Sequence, residues 1–364
     1  MTGDSAMLLL ADGSSFEGWG LGPAGLARGE AVFYTGMTGY EEALTDPSYA
    51  GQLLVFSYPL IGNYGIDAAV RQHRTICAAG CVCRRASRHP SHHRSSGTLG
   101  DWLSQGGVPA AEGVDTRALV TRLREAGSMF AVLAVGAASI ENAPAALQSY
   151  MQAPGQTPML VRDVSSRERS FHRQEGRPRV VLLDCGTKAG IPEQLSRAGA
   201  EVVVVPFDTE FDELLALRPD GLVISNGPGD PSEMKPVVQT LRRVIDYAKL
   251  PSFGVCFGHQ LLALALGAKT FKLKYGHRGS NQPVRVCQSD DVMITAHNHG
   301  YAVDASSLPQ EVEQTMINLN DGTNEGLRHC RLPIASVQFH PEASPGPADA
   351  GYLLADFVSS LKRS

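Results

Sequence analysis

The sequence lacks what would tie it to nucleic acid or a bilayer. Its 32 Lys and Arg are outnumbered by 37 Asp and Glu, a formal charge of −5, and nucleic-acid binding needs a clear basic excess. The purely apolar stretches Ala6–Ala11 and Val202–Val205 fall far short of the ~18 residues of a membrane span. No basic lead precedes Met7–Ala11, and Asp4 stands where a secretory leader would carry Lys or Arg, so the expectation is a mature cytoplasmic protein. An odd set of seven cysteines, Cys77, Cys81, Cys83, Cys185, Cys256, Cys287 and Cys330, is scattered along the chain. That fits reduced thiols in a reducing compartment better than a disulfide framework, with one of them free to be a nucleophile. No fixed-period repeat is present.

Nucleotide motifs are also missing. Gly20-Leu21-Gly22-Pro23-Ala24-Gly25 has dinucleotide-site spacing, but Pro23 and the residues after it open no helix. Gly267-Ala268-Lys269-Thr270 lacks the Gly-Lys pair and the earlier glycine of a phosphate loop. Neither binds a cofactor, and none is expected in this chain.

What is present is an ordinary globular composition, 43% hydrophobic over 364 residues, long enough for two domains and too apolar for disorder. Up to about Arg124 the chain reads as short strands and turns: Leu8–Leu10, Ser14–Phe16, Glu30–Tyr34 and Leu53–Tyr58, then a helix from Asp115 to Ala126 ended by Gly127. Prolines 144, 154, 158 and 178 punctuate the next stretch, read as one helix around Pro144–Tyr150 and then a linker. After it, β-branched runs alternate with helical stretches. Arg179–Asp184, Glu201–Pro206, Gly221–Ser225 and Ser252–Val255 are separated by Ile191–Ala198, Glu210–Leu217 and Pro236–Lys249. That alternation predicts an α/β fold whose mainly parallel sheet is flanked by helices, with ligands at the carboxyl ends of its strands. The domains are then 1–150, a smaller β/α unit; 151–178, a linker; and 179–364.

Gly254-x-Cys256-x-Gly258, between an apolar strand and an apolar helix, is the cysteine form of the nucleophile elbow. Such a turn aims the thiol at the top of the sheet, where the positive helix end favours a thiolate. The Phe257 N–H is placed to join an oxyanion hole. The bland alternative is a buried apolar cysteine in a corner. A base and its orienting group follow in Val337-Gln338-Phe339-His340-Pro341-Glu342: His340 takes the proton and Glu342 holds the ring. Ser225-Asn226-Gly227-Pro228-Gly229-Asp230-Pro231 ends a strand in a backbone cradle suited to an oxyanion or carboxylate, or else in a tight surface turn. His297-Asn298-His299 has the look of a metal pair, but no carboxylate or cysteine at ligand spacing completes it. It reads as loop structure near the substrate, and no metal ligand is assigned.

Together these residues resemble the class I glutamine amidotransferases. The resemblance extends to the small-subunit family of carbamoyl phosphate synthetase through Thr35-Gly36-Met37-Thr38-Gly39-Tyr40, Leu44–Tyr49, Tyr58–Gly65, Gly113–Arg117, Asn298–Val303 and Pro341–Pro347. It implies a class I amidotransferase domain behind a small-subunit N-terminal domain. By this resemblance Cys256 is the nucleophile, His340 the base and Glu342 its partner. Ser48, Gly227, Gly229, Phe257, Gln260, Asn298, Gly300 and Tyr301 hold L-glutamine, with Ser48 reaching from the other domain. Phe257 stands where the family commonly has Leu, and Tyr301 where it commonly has Phe.

The resemblance further implies a partner large subunit that holds ATP and a divalent metal and receives ammonia. The product feeds arginine and pyrimidine synthesis, and an oligomer of heterodimers stays open. Another amidotransferase is disfavoured by the N-terminal half, and a silent docking subunit by the presence of all three triad residues. A lone thiol hydrolase is disfavoured because, without a partner, it would waste glutamine.

Residues 67–94 depart from this pattern, with Cys77, Cys81, Cys83, His89, His92 and His93 among six arginines. Their spacing is not a standard zinc pattern. Divergence on a surface segment, or a frame-shifted stretch of coding sequence, fits better.

Overall fold

The structure, a computed structural model, describes residues 4–152, 157–173 and 177–362. Two compact units divide the chain, Met1–Gly155 and Gln156–Ser364. The first is built on a closed barrel whose strands run in the order Ser5–Leu10, Ser15–Gly20, Ala110–Glu112, Gly80–Val82, Gln52–Phe56, Gly25–Tyr34 and Met129–Val135. Closure leaves no free strand edge, and Leu8, Leu53, Val55, Val82, Leu119 and Leu133 help fill a buried cluster. The expected helix spans Thr116–Ala126, with the Asp115 side chain accepting from the Ala118 N–H at 3.0 Å. That cap satisfies an amide that the first turn leaves orphaned.

Cysteine-rich residues 77–83 run into this barrel rather than over its surface. Gly80–Val82 pairs in parallel with two strands, and Cys81 and Cys83 are fully buried. For this strand and Cys83 the surface-segment expectation is corrected, because free cysteine packs as a small hydrophobe; Arg84, Arg85, His89, His92, His93 and Arg94 are exposed, as that expectation has them. Burial pushes the Cys81 thiol up to about 12.

The second unit carries a ten-stranded sheet. At its centre Ile334–Val337, Ser252–Val255, Gly221–Ile224, Arg179–Asp184 and Glu201–Pro206 lie parallel. The runs look continuously apolar because both faces are covered. Alternation sends Val181 and Leu183 into the cluster beneath helices Lys235–Arg243 and Phe257–Leu266, and Val180 and Leu182 into the one beneath Gly190–Arg197 and Tyr352–Leu361.

Two features were not expected. The core is extended by an antiparallel wing of Asn324–His329, Val312–Asn318, Thr270–Val286 and Val292–Val303. His297 and His299 lie within its last strand, which corrects their reading as loop. The stretch read as linker contains the helix Thr157–Val164 and the strand Ser170–Arg173, which pairs with Glu201–Pro206 as an edge. Its prolines concealed both, although Val161 is fully buried in the sheet's core. Prolines 154 and, for its side chain, 158 lie outside the described residues.

Leu182 is fully buried in the central strand, and deleting its branched end leaves a cavity. Leu182→Ala is expected to lose about 2–5 kcal/mol of stability, read as a lowered urea midpoint of the second unit. A midpoint within error of wild type would refute the packing described.

Candidate active site

Strand Ser252–Val255 passes to helix Phe257–Leu266 through one residue, Cys256, at φ 53 and ψ −101. Such backbone costs a non-glycine residue of order 1–3 kcal/mol and persists only where the surroundings over-determine it. Here close packing does so. A Cβ on Gly258 would sit 2.2 Å from Ile224 O, and one on Gly254 2.6 Å from Gly258 O. Strand and helix meet this closely because both positions lack a side chain. Cys256 N–H donates to Val337 O at 2.9 Å, and Gln260 N–H to Cys256 O at 3.2 Å, holding the turn from both sides.

The thiol is buried, 3.6 Å from the Asn298 carbonyl to which it donates, and it accepts from Gln338 Nε2 at 3.6 Å. His340 and Glu342 follow the neighbouring strand Ile334–Val337. The Glu342 carboxylate lies 2.7 Å from His340 Nδ1, and both side chains are buried. A carboxylate only accepts, so Nδ1 carries the hydrogen. Nε2 has no hydrogen bond of ordinary geometry among the described residues, and the Cys256 thiol is electrostatically coupled to the ring.

Burial, the largest single influence, and the Lys188 ammonium would lower the His340 pKa; the Glu342 carboxylate and the Cys256 thiol act the other way, and together they raise it. Burial would likewise raise Glu342, but the Lys188 ammonium and then His340 hold it well below the usual carboxylate range. The arrangement favours an imidazolium, the state a base reaches after taking a thiol proton.

Lys188 and Gln338 escaped the sequence reading. Only 2% exposed, Lys188 places Nζ 3.0 Å from Glu342 Oε1 and donates to the Ala343 carbonyl. Its backbone N–H donates to Asn226 Oδ1 at 3.0 Å, tying it to the glycine-rich loop. A lone lysine in a loop carries no local signal of burial; Gln338 stands two residues before His340 and could have been suspected.

Of the remaining sequence-derived positions, Asn298 meets this thiol through its carbonyl and Phe257 follows Cys256 in the chain. Gln260 Nε2 donates to Tyr301 O at 2.7 Å and to Gln338 Oε1 at 3.0 Å, which links the elbow helix to the strand carrying Asn298, Gly300 and Tyr301. Gly227 packs on the Cys185 carbonyl beside the Phe257 ring, and Gly229 lies against Thr157, whose hydroxyl accepts from the Asp230 N–H. Ser48 belongs to the first unit, in the turn Pro47–Tyr49, where its N–H donates to Asp46 Oδ1 at 2.9 Å.

Comparison with known proteins gives two family matches. Residues 181–360 match glutamine amidotransferase class-I, and residues 8–133 match the carbamoyl-phosphate synthase small chain, CPSase domain. The chain is 45% identical over 358 residues to the carbamoyl phosphate synthase small chain of Symbiobacterium thermophilum, covering 98% of each. It is 44% identical to that of Archaeoglobus fulgidus, covering 98% of this chain and 99% of the relative. With that of Chlorobaculum tepidum it shares 45% identity, over 98% of each chain.

Two outcomes test the geometry. Gly258→Ala forces a methyl into the Ile224 carbonyl, so the variant is expected to melt lower than wild type and to lose alkylation of Cys256 by a glutamine-like electrophile. Wild-type melting and labelling together would rule out the steric argument. Glu342→Gln removes the partner that raises His340. The contribution of His340 to stability is complete below its ordinary value of 6.5 and is lost as pH rises above it; that of Glu342 is complete above 4.5 and is lost as pH falls. The pH-dependent part of the wild-type advantage over Glu342→Gln should therefore be largest between those values and shrink on either side. A flat difference in urea midpoint across pH would contradict the buried pair.

Proposed function

The chain belongs to the carbamoyl phosphate synthase small-chain family, and on that footing we propose that it is the glutaminase subunit of such an enzyme. The observation that carries this reading is Cys256 held at positive φ beside the buried His340–Glu342 pair. Cys256 attacks the side-chain carbonyl carbon of L-glutamine as its proton passes to His340. The tetrahedral oxyanion is held by backbone N–H groups, those of Gly227 and Phe257, and Phe257 opens a helix whose first amides lack intrahelical partners. His340 returns the proton to the departing nitrogen, and ammonia leaves a thioester. Water, deprotonated by the same imidazole, hydrolyses it to glutamate and restores the thiol.

Glu342 holds the imidazole in the productive tautomer, and Lys188 keeps Glu342 ionised. Ser48, Gly229, Gln260, Asn298, Gly300 and Tyr301 complete the glutamine-holding set. Phe257 and Tyr301 fit these roles because an oxyanion donor acts through its backbone and Tyr adds only a hydroxyl to Phe. Ammonia passes to a large subunit that supplies ATP, bicarbonate and the divalent metal, and the carbamoyl phosphate formed serves arginine and pyrimidine synthesis. The cell compartment is the cytoplasm; no helix among the described residues is long and apolar enough to cross a membrane.

The test is to purify the chain with its large subunit and measure carbamoyl phosphate made from glutamine and, separately, from ammonia. Cys256→Ser is expected to abolish the glutamine-driven reaction and leave the ammonia-driven one intact. If the variant keeps glutamine-driven synthesis, or if the wild-type complex uses ammonia and never glutamine, the proposal fails.

A further inference from the structure

In the antiparallel wing four buried side chains converge that no step above uses. His297 and His299 stand two residues apart on one strand and so share a face. His277 lies directly opposite His299 on the neighbouring strand, and Glu325 enters from a third. One ligand atom from each lies within 4.8 Å of the others, and all four residues are buried.

The outer contacts decide which nitrogens carry hydrogen. His277 Nε2 lies 2.9 Å from Asp321 Oδ2, and His299 Nδ1 lies 2.8 Å from the Tyr301 carbonyl. Both oxygens only accept, so both nitrogens are donors. Thr295 spends its hydroxyl hydrogen on the Gln282 carbonyl at 2.9 Å, so His297 Nε2, 2.7 Å from Thr295 Oγ1, is also the donor. In the neutral rings three bare lone pairs are left facing inward: His277 Nδ1, His297 Nδ1 and His299 Nε2. The last two are 3.1 Å apart, and Glu325 Oε1 is 3.7 Å from His297 Nδ1 and 3.8 Å from His277 Nδ1. His277 Nδ1 and Glu325 Oε2 have no hydrogen-bond partner among the described residues, while Asn318 Nδ2 donates to Glu325 Oε1 at 3.0 Å.

We infer that His277, His297, His299 and Glu325 bind a divalent transition-metal ion, Zn²⁺ being the best fit. Four donors at zinc bond lengths of about 2.0–2.1 Å in a tetrahedron stand about 3.3 Å apart, against 3.1, 3.7 and 3.8 Å for the pairs above and no more than 4.8 Å for any pair. Imidazole nitrogens held outward by a carboxylate, a carbonyl and a hydroxyl are the usual supporting shell of such a site. One added proton could relieve a single lone-pair contact, whereas a cation meets all three lone pairs and the carboxylate beside them. Four protein ligands leave no open position, so the ion is structural. It would lock the strand on which His299 lies between Asn298 and Gly300, and with it the carbonyl that meets the Cys256 thiol.

The experiment uses the full chain, freed of any affinity tag and dialysed against metal-free buffer. Elemental analysis should find about one zinc per chain, as a closed structural site requires. His297→Gln and Glu325→Gln should each lose at least about 10-fold in metal affinity. Because either variant could fold poorly, chelator-stripped wild type is also titrated with Co²⁺. It should develop the visible bands of tetrahedral cobalt without a thiolate charge-transfer band, be displaced by Zn²⁺ and melt higher with either ion. Stripped protein that gains neither cobalt absorption nor thermal stability would overturn the proposal. So would thiolate-type bands removed by blocking the exposed Cys287 and Cys330, which mark adventitious binding.

Discussion

A backbone that no ordinary residue prefers, Cys256 at φ 53, organises the second unit. It can be held there only if the helix behind it presses against the sheet, and that contact requires the missing side chains of Gly254 and Gly258. The parallel strands on either side supply the rest. Val337 accepts the Cys256 N–H, and the Ile224 carbonyl is what Gly258 packs against. The strain at one residue is offset by the burial of a whole strand–helix unit, so the thiol's direction is a property of the sheet.

Around that thiol the electrostatics follow from a single buried cation. Lys188, Glu342 and His340 form a chain of charge with almost no water contact. Removing Glu342 leaves both of its partners buried and unpaired, a cost of about 3–5 kcal/mol. The carbonyl of Ala343 and the side chain of Asn226 anchor the lysine at both ends. The glycine-rich loop is thereby tied to the base as well as to the elbow.

The central strands and the elbow were legible because their signals are local. A fully covered parallel strand is a short run of apolar residues, and Arg179–Asp184, Glu201–Pro206 and Ser252–Val255 begin and end where the pattern says they do. The helix Thr157–Val164 was hidden by the prolines around it, and the wing by its composition. Thr270–Val286 mixes Lys, Arg, His and Gln with few apolar residues, since Phe271, Lys272, Lys274, Tyr275 and Asn281 meet solvent without a period of two. Cys81 and Cys83 looked like a departure, yet in the barrel they occupy positions that ask only for small apolar volume.

By itself the amino-acid order determined the fold class, the strained turn at Cys256 and the pairing of His340 with Glu342. Each is encoded within a few residues by glycine spacing, apolar runs or a His-x-Glu pair. Tertiary structure alone decided which distant polar groups meet. Lys188 reaches Glu342 across 154 positions, and His277 and Glu325 complete a pair, His297 and His299, that local spacing left without a carboxylate. Burial and convergence arise when strands pair, and strand register is set by the packing of both sheet faces, which no short stretch of sequence contains.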